Sequence, residues 1–135
     1  MTDADLPLLY LKTEVSIEEG EKLVPAGDSV LVASGVVHVI TAWNPGDARP
    51  SRAENDRANQ ILAERLENRG CMPVGAIGAD PDSDHFEESW AVVGLSDDEA
   101  RAIGASFGQV AVFRLSKDVQ TVLACFEDWQ VSRAL

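Results

Sequence analysis

Two asparagines four residues apart, Asn55 and Asn59, most invite a chemical reading. They follow Ser51 and Glu54, whose S-x-x-E spacing is that of a capping box, where two side chains take up the backbone N–H groups a helix start leaves unpaired. A long helix therefore opens at Ser51, with Pro50 before it and Gly70 closing it. At about 100° per residue, Asn55, Asn59, Leu62 and Leu66 fall on one stripe. The asparagines thus share the face that buries leucines instead of the solvent side. Upstream, Val36 to Trp43 reads as a strand and Asn44-Pro45-Gly46-Asp47 as a turn. Taking the helix back onto a sheet brings Asn44, Arg52, Asn55, Asn59, Glu88, Ser89 and Gln109 to one rim. In that arrangement Asn44, Asn55, Asn59 and Gln109 would read a ligand. Glu88 would accept hydrogen bonds or act as a base, and Arg52 would hold an anionic group. Strand ends beside helix N-termini are where open sheets bind ligands. Each residue also has a plainer role. Asn44 before Pro45 suits a turn, the asparagines could satisfy backbone groups of a neighbouring loop, and Glu88 could pair with Arg52 or Arg57.

The positioning elements are read in chain order. Leu8 to Ile17 and Leu23 to Ala33 contain two extended candidates, the second around Ser29-Val30-Leu31-Val32, which would form a hairpin. After the long helix, Met72 to Ala79 reads as a strand, Asp80 to His85 as an acidic loop, and Glu88 to Leu95 as another strand. A second capping box, Ser96 with Glu99, opens a shorter helix whose Ala100, Ile103, Gly104 and Phe107 keep a buried rhythm. Strands over Gln109 to Leu115 and Val119 to Cys125 follow, and Phe126 to Leu135 is unassigned. The order β-α-β-β-α-β predicts an α+β fold with a ferredoxin-like βαββαβ core, a mixed sheet and two helices on one face. An N-terminal hairpin and a C-terminal strand would extend it. The expected organisation is one domain over 1–135: an extension at 1–35, the core at 36–115 and a strand and tail at 116–135.

Composition narrows the function classes. At 135 residues and 45% apolar content the chain fits a globular domain with a real core. Its 23 acidic and 11 basic residues give a net charge of −12. That argues against a broad nucleic-acid-binding face and against anionic membranes, and favours a basic protein partner or simple solubility. Cys71 and Cys125 lack metal or redox spacing and read as buried free thiols. Residues 1–5 lack the features of a signal peptide and no apolar run has transmembrane length, so a cytoplasmic setting is expected. No cofactor is implied.

Other motifs fail on their details. Asp80, Asp82 and Asp84 alternate as in an EF-hand, but His85 and Ala91 stand where Gly and Glu are needed. A looser divalent site from Asp82, Asp84 and Glu87 competes with a solvated loop, the simpler reading. Gly75-x-x-Gly78 lies within a strand and lacks the rest of a dinucleotide fingerprint. His38 shares a strand face with Ile40 and Ala42, as a structural histidine would. His85 and Ser89 are poorly placed for a triad. Arg49, Arg52 and Arg57 around the helix start are offset by Asp47, Glu54 and Asp56.

Thr41-Ala42-Trp43-Asn44-Pro45, Ser51-Arg52-x-Glu54-Asn55-x-x-x-Asn59, Glu88-Ser89 and Phe107-Gly108-Gln109 together resemble a bacterial family known as domain of unknown function 3293, over Val36 to Leu115. The resemblance implies a small cytoplasmic bacterial protein and supplies no activity. Its recurring polar positions fall on Asn44, Asn55, Asn59, Glu88, Ser89 and Gln109. Three function classes follow: a binder of a small-molecule or nucleotide-like ligand at the rim, an acidic interaction module or nucleic-acid mimic without catalysis, and a metal-assisted hydrolase built on Glu88 with Asp82 or Asp84.

Overall fold

The structure, a computed structural model, describes residues 6–135; the stretch read above for targeting signals, residues 1–5, lies outside them. Helix α1 (Leu6–Leu11) precedes strands β1 (Glu14–Glu19) and β2 (Lys22–Pro25). A 3-10 turn at Ala26–Asp28 and helix α2 (Val30–Ala33) lead into β3 (Val37–Ile40). Helix α3 (Arg52–Asn68) joins β3 to β4 (Val74–Ala79), followed by β5 (Phe86–Val92), α4 (Asp97–Ser106), β6 (Ala111–Ser116), β7 (Val119–Ala124) and β8 (Gln130–Ala134). The strands form one sheet in the order β2-β1-β4-β5-β3-β6-β7-β8. Every neighbouring pair is antiparallel.

This corrects the expected ferredoxin-like core with a mixed sheet and two helices on one face. The sheet is entirely antiparallel and curled, and it carries four α-helices distributed over both faces. β5 lies between β3 and β4 and pairs antiparallel with each. A 17-residue helix spans a gap of two strand positions as readily as one, so the crossover did not reveal its landing place. Leu135, just past β8, comes so near Gly27 beyond β2 that a Cβ added there would stand 3.7 Å from Leu135 Cβ.

The two faces hold separate cores. Along β3, Val37 and Val39 join Val15, Ile17, Leu115 and the α2 residue Val32 on one side. Ile40, with Val92 and Leu123, meets Leu62 and Leu66 of α3 and Ala100 and Ile103 of α4 on the other. Each fully buried leucine contributes about 1.5–3 kcal/mol, so these contacts outweigh the local preferences of either helix. Both helix starts are the capping boxes read from the sequence. Ser51 accepts from the Glu54 N–H while Glu54 accepts from the Ser51 N–H, and Ser96 and Glu99 repeat the arrangement. Each cap adds about 0.5–2 kcal/mol. At the far end of α3, Gly70 takes a positive φ of 85° and the Cys71 N–H closes on the Leu66 carbonyl.

The N-terminal third differs most from expectation. Leu6–Leu11 is helical where an extended segment was expected, and Val30–Ala33 is a short helix, not a strand. Ser29 caps α2 by accepting from the Val32 N–H and donates its own hydroxyl to Glu19 at 2.8 Å. A cap supplied across the chain overrides the strand preference of valine. The unassigned tail contains β8.

Gly104 of α4 sits where an added methyl would lie 2.6 Å from Val112 Cγ1 and 2.7 Å from Cys125 Sγ. Gly104→Ala is therefore expected to destabilise the fold by about 1–3 kcal/mol in urea unfolding, despite alanine's better helix propensity. An unchanged or raised midpoint would contradict this packing.

Candidate functional site

The segment following β3, Thr41 to Gly46, leaves the strand ladder and runs between the first turns of α3 and the α4–β6 junction. Its backbone groups need partners, and side chains supply them. The Ala42 N–H donates to Asn59 Oδ1 at 2.8 Å, and the Asn59 amide donates onward to the Glu88 carbonyl at 2.8 Å. The Thr41 hydroxyl donates to the same carbonyl at 2.7 Å and accepts from the Trp43 N–H at 3.0 Å. Asn55 Oδ1 accepts from the Asn44 N–H at 3.0 Å, while its amide donates to Asn44 Oδ1 at 3.0 Å. Gln109 donates to the Trp43 carbonyl at 3.0 Å, and the Gly46 N–H to the Gly108 carbonyl at 3.1 Å. Asn59, Asn55 and Gln109 are all buried. Asn44 holds a positive φ of 48°, a conformation asparagine tolerates better than most residues. The Gly108 φ of 72° and its contact with Pro45, where a Cβ would stand 2.9 Å away, leave room only for glycine.

Four of the seven expected rim residues, Asn44, Asn55, Asn59 and Gln109, thus converge and engage one another and the backbone. Two more face outward. Arg52 is ion-paired with Glu88, contacts Asp56 at 3.1 Å, and its guanidinium covers the Trp43 ring at 4.8 Å. Ser89 does not join them. It alternates with Trp90 and Glu88 on β5 and falls on the opposite face with Ala91, its hydroxyl donating to the Glu87 carbonyl at 3.3 Å.

Sequence reading missed Trp43, Phe86, His85 and Glu87 at this place. Phe86 lies 6.0 Å from Trp43 between ring centroids and is 41% exposed. Glu87 accepts from the Asn44 amide at 3.0 Å and approaches His85 at 3.3 Å. The indole N–H of Trp43 is buried and has no acceptor among the described residues. Trp43 was visible in the Trp-Asn-Pro run, but nothing local told an aromatic under an arginine from a core aromatic. Two open clefts, of about 400 and about 510 Å³, lie against α4 and at the α3–β4 junction, and neither is lined by a rim residue.

The acidic loop is folded on itself. Asp80 accepts from the Asp82 N–H at 2.9 Å and the Ser83 hydroxyl at 3.0 Å, and Lys12 pairs with Asp82 at 2.9 Å. Among the described residues no group of three or more His, Cys, Asp or Glu side chains is placed to hold a metal ion. Burial pushes the Cys125 thiol up to about 11, which makes it a poor nucleophile.

A second polar array crosses the sheet at the other end. His38, 1% exposed, contacts Asp97 through Nε2 at 2.8 Å, and its Nδ1 has no partner among the described residues. Asp97 also pairs with Arg114, which reaches Thr121 at 3.4 Å, and Thr121 bonds Ser132 at 2.8 Å. The β3–β6 register, placing His38 opposite Arg114, builds the array. Desolvation pushes the Asp97 carboxyl up, but the His38 hydrogen bond and the Arg114 charge prevail and hold it below 3.8.

Two outcomes follow. Asn59→Ala orphans the buried Ala42 N–H and is expected to cost about 1–3 kcal/mol in denaturant unfolding; no loss would show the amide to be dispensable. Because the folded pKa of Asp97 is depressed, its stabilisation is present above the unfolded value and fades as pH falls through the folded one. Stability measured between pH 5 and about 2 should therefore fall less steeply in Asp97→Asn than in wild type, and parallel curves would contradict the pairing.

Comparison with curated proteins and with solved structures gave no match. No described helix is long and apolar enough to cross a membrane. A family model described as "Protein of unknown function (DUF3293)" matches residues 40–112, more than half of the chain. That span runs from the end of β3 to β6 and holds the Asn44, Asn55, Asn59 and Gln109 lattice. The chain belongs to the DUF3293 family.

Proposed function

We propose that the protein is a non-catalytic binding module whose rim docks a basic protein segment. The observation that carries this reading is the division of labour at the rim. The amides face inward and are occupied, whereas solvent meets an exposed aromatic bordered by carboxylates. Phe86 would be the anchor. Glu87 and Glu88 follow it on β5 and the Asp80, Asp82 and Asp84 loop precedes it in the chain, which would supply the polar rim of an interface hot spot. A net charge of −12 adds long-range attraction for a cationic partner. Saturated amides beneath the surface keep it preorganised, which reduces the entropy lost on docking.

A second reading, a small-molecule or nucleotide-like ligand at the same rim, is favoured by one observation: the buried Trp43 N–H lacks an acceptor among the described residues, and Arg52 lies over its ring. An anionic group drawing Arg52 away from Trp43 would leave that donor for the ligand. Asn44, Asn55, Asn59, Ser89 and Gln109 would then be frame, and Arg52 and Glu88 the contacts.

Titration with a lysine- and arginine-rich peptide, followed by tryptophan fluorescence, tests the first reading. Affinity should fall as salt rises, and Phe86→Ala should weaken binding about tenfold, roughly 1.4 kcal/mol, without altering the fold. Binding indifferent to Phe86→Ala and to reversal of Asp82 and Asp84 would overturn it. A nucleotide, sugar or amino acid that raises the melting temperature of wild type but not of Arg52→Ala would establish the second reading instead.

A further inference from the structure

The two edges of the sheet are unequal. β2 has four residues and carries Lys22 and Pro25, the charge and the missing donor that blunt an edge. β8 has five residues with neither lysine nor proline. Its register with β7 fixes which backbone groups remain free. The Ala124 N–H donates to the Trp129 carbonyl and the Leu135 N–H to the Asp118 carbonyl, so in the antiparallel alternation Val131 and Arg133 also turn inward to β7. Gln130, Ser132 and Ala134 therefore direct their N–H and C=O groups away from the sheet, the Ala134 carbonyl also accepting from the Arg133 guanidinium at 3.0 Å. The odd spacing makes this edge self-complementary: a two-fold axis through Ser132 sets Gln130 against Ala134 of a second copy, and Ala134 against its Gln130.

Charge and apolar surface select the same occupant. None of the three outward residues is ionisable. The one charged side chain of β8, Arg133, donates to the Leu11 and Thr13 carbonyls at 2.7 and 3.0 Å and to the Ala134 carbonyl at 3.0 Å. On a chain of net charge −12 the paired stretch Gln130 to Ala134 carries no carboxylate, so two copies can meet along it and a basic partner gains nothing there. Helix α1, whose sequence LPLLYL is apolar throughout, packs against β7 and β8 with none of its residues buried, and Leu8 is 62% exposed. A second copy joined at β8 would bring a second α1 to the same side of the continued sheet and cover both.

We propose that β8 pairs antiparallel with β8 of a second copy, joining two sheets into one about an axis at Ser132. The inference is independent of the rim and its partner.

Light scattering of the full chain after size exclusion, over a range of concentration, gives the test. Wild type is expected at twice the chain mass of 14.5 kDa. Ala134→Pro, which removes an outward N–H and no bond to β7, is expected at 14.5 kDa with an unchanged melting temperature. Monomeric wild type at the highest concentration, or a folded Ala134→Pro that stays dimeric, overturns the proposal. If Ala134→Pro does not fold, Ser132→Cys decides. Oxidation should cross-link it to itself on the axis, beyond the background of wild type with Cys71 and Cys125, and absence of that extra cross-link is disproof.

Discussion

A backbone that leaves a sheet but stays buried must still pair its N–H and C=O groups, and here that requirement organises the molecule. Between Thr41 and Gly46, the N–H groups of Ala42, Trp43, Asn44 and Gly46 go in turn to Asn59, Thr41, Asn55 and the Gly108 carbonyl. Pro45 has none to place. The Trp43 carbonyl is met by Gln109. One short segment thereby locks together the start of α3, the middle of β5 and the junction of α4 with β6. The runs Thr-Ala-Trp-Asn-Pro, Ser-Arg-x-Glu-Asn-x-x-x-Asn and Phe-Gly-Gln, far apart in the chain, are parts of one hydrogen-bonded lattice.

That lattice also determines what the rim can offer. Amides saturated by one another cannot read a ligand without breaking bonds they already make, and an unpaired buried donor costs about 1–3 kcal/mol. What is left facing solvent is the layer above: Arg52 over Trp43, Phe86 beside it, and Glu87 and Glu88 at the border. The His38, Asp97 and Arg114 array serves the far end of the sheet differently, with charge placed at the N-terminus of α4, where the helix dipole favours it.

Much of this was legible where one local rule decided the outcome. The Ser51–Glu54 and Ser96–Glu99 spacings located both long helices, and the stripe of Asn55, Asn59, Leu62 and Leu66 was correctly read as buried. The convergence of Asn44, Asn55, Asn59 and Gln109 also followed from the pattern. Legibility failed where distant contacts decided. Leu6–Leu11 and Val30–Ala33 carry strand-like apolar runs; Arg133 holds the end of α1, and Ser29, itself tied to Glu19, caps α2. β8 escaped notice because an edge strand exposed at every second residue needs few apolar residues. The mixed sheet was an error of topology: helix length does not say whether a crossover lands beside its strand or one place further. Ser89 was misplaced by one step of strand alternation, enough to send a side chain to the other face.

The bonds of the Thr41–Gly46 segment should hold it as firmly as the sheet it leaves. Amide hydrogen exchange of Ala42, Trp43 and Asn44, read residue by residue, measures this directly. The lattice predicts protection close to that of Val39 in the centre of the sheet, and its loss at Asn44 in Asn55→Ala. Exchange at the rate of an open loop in wild type would contradict it.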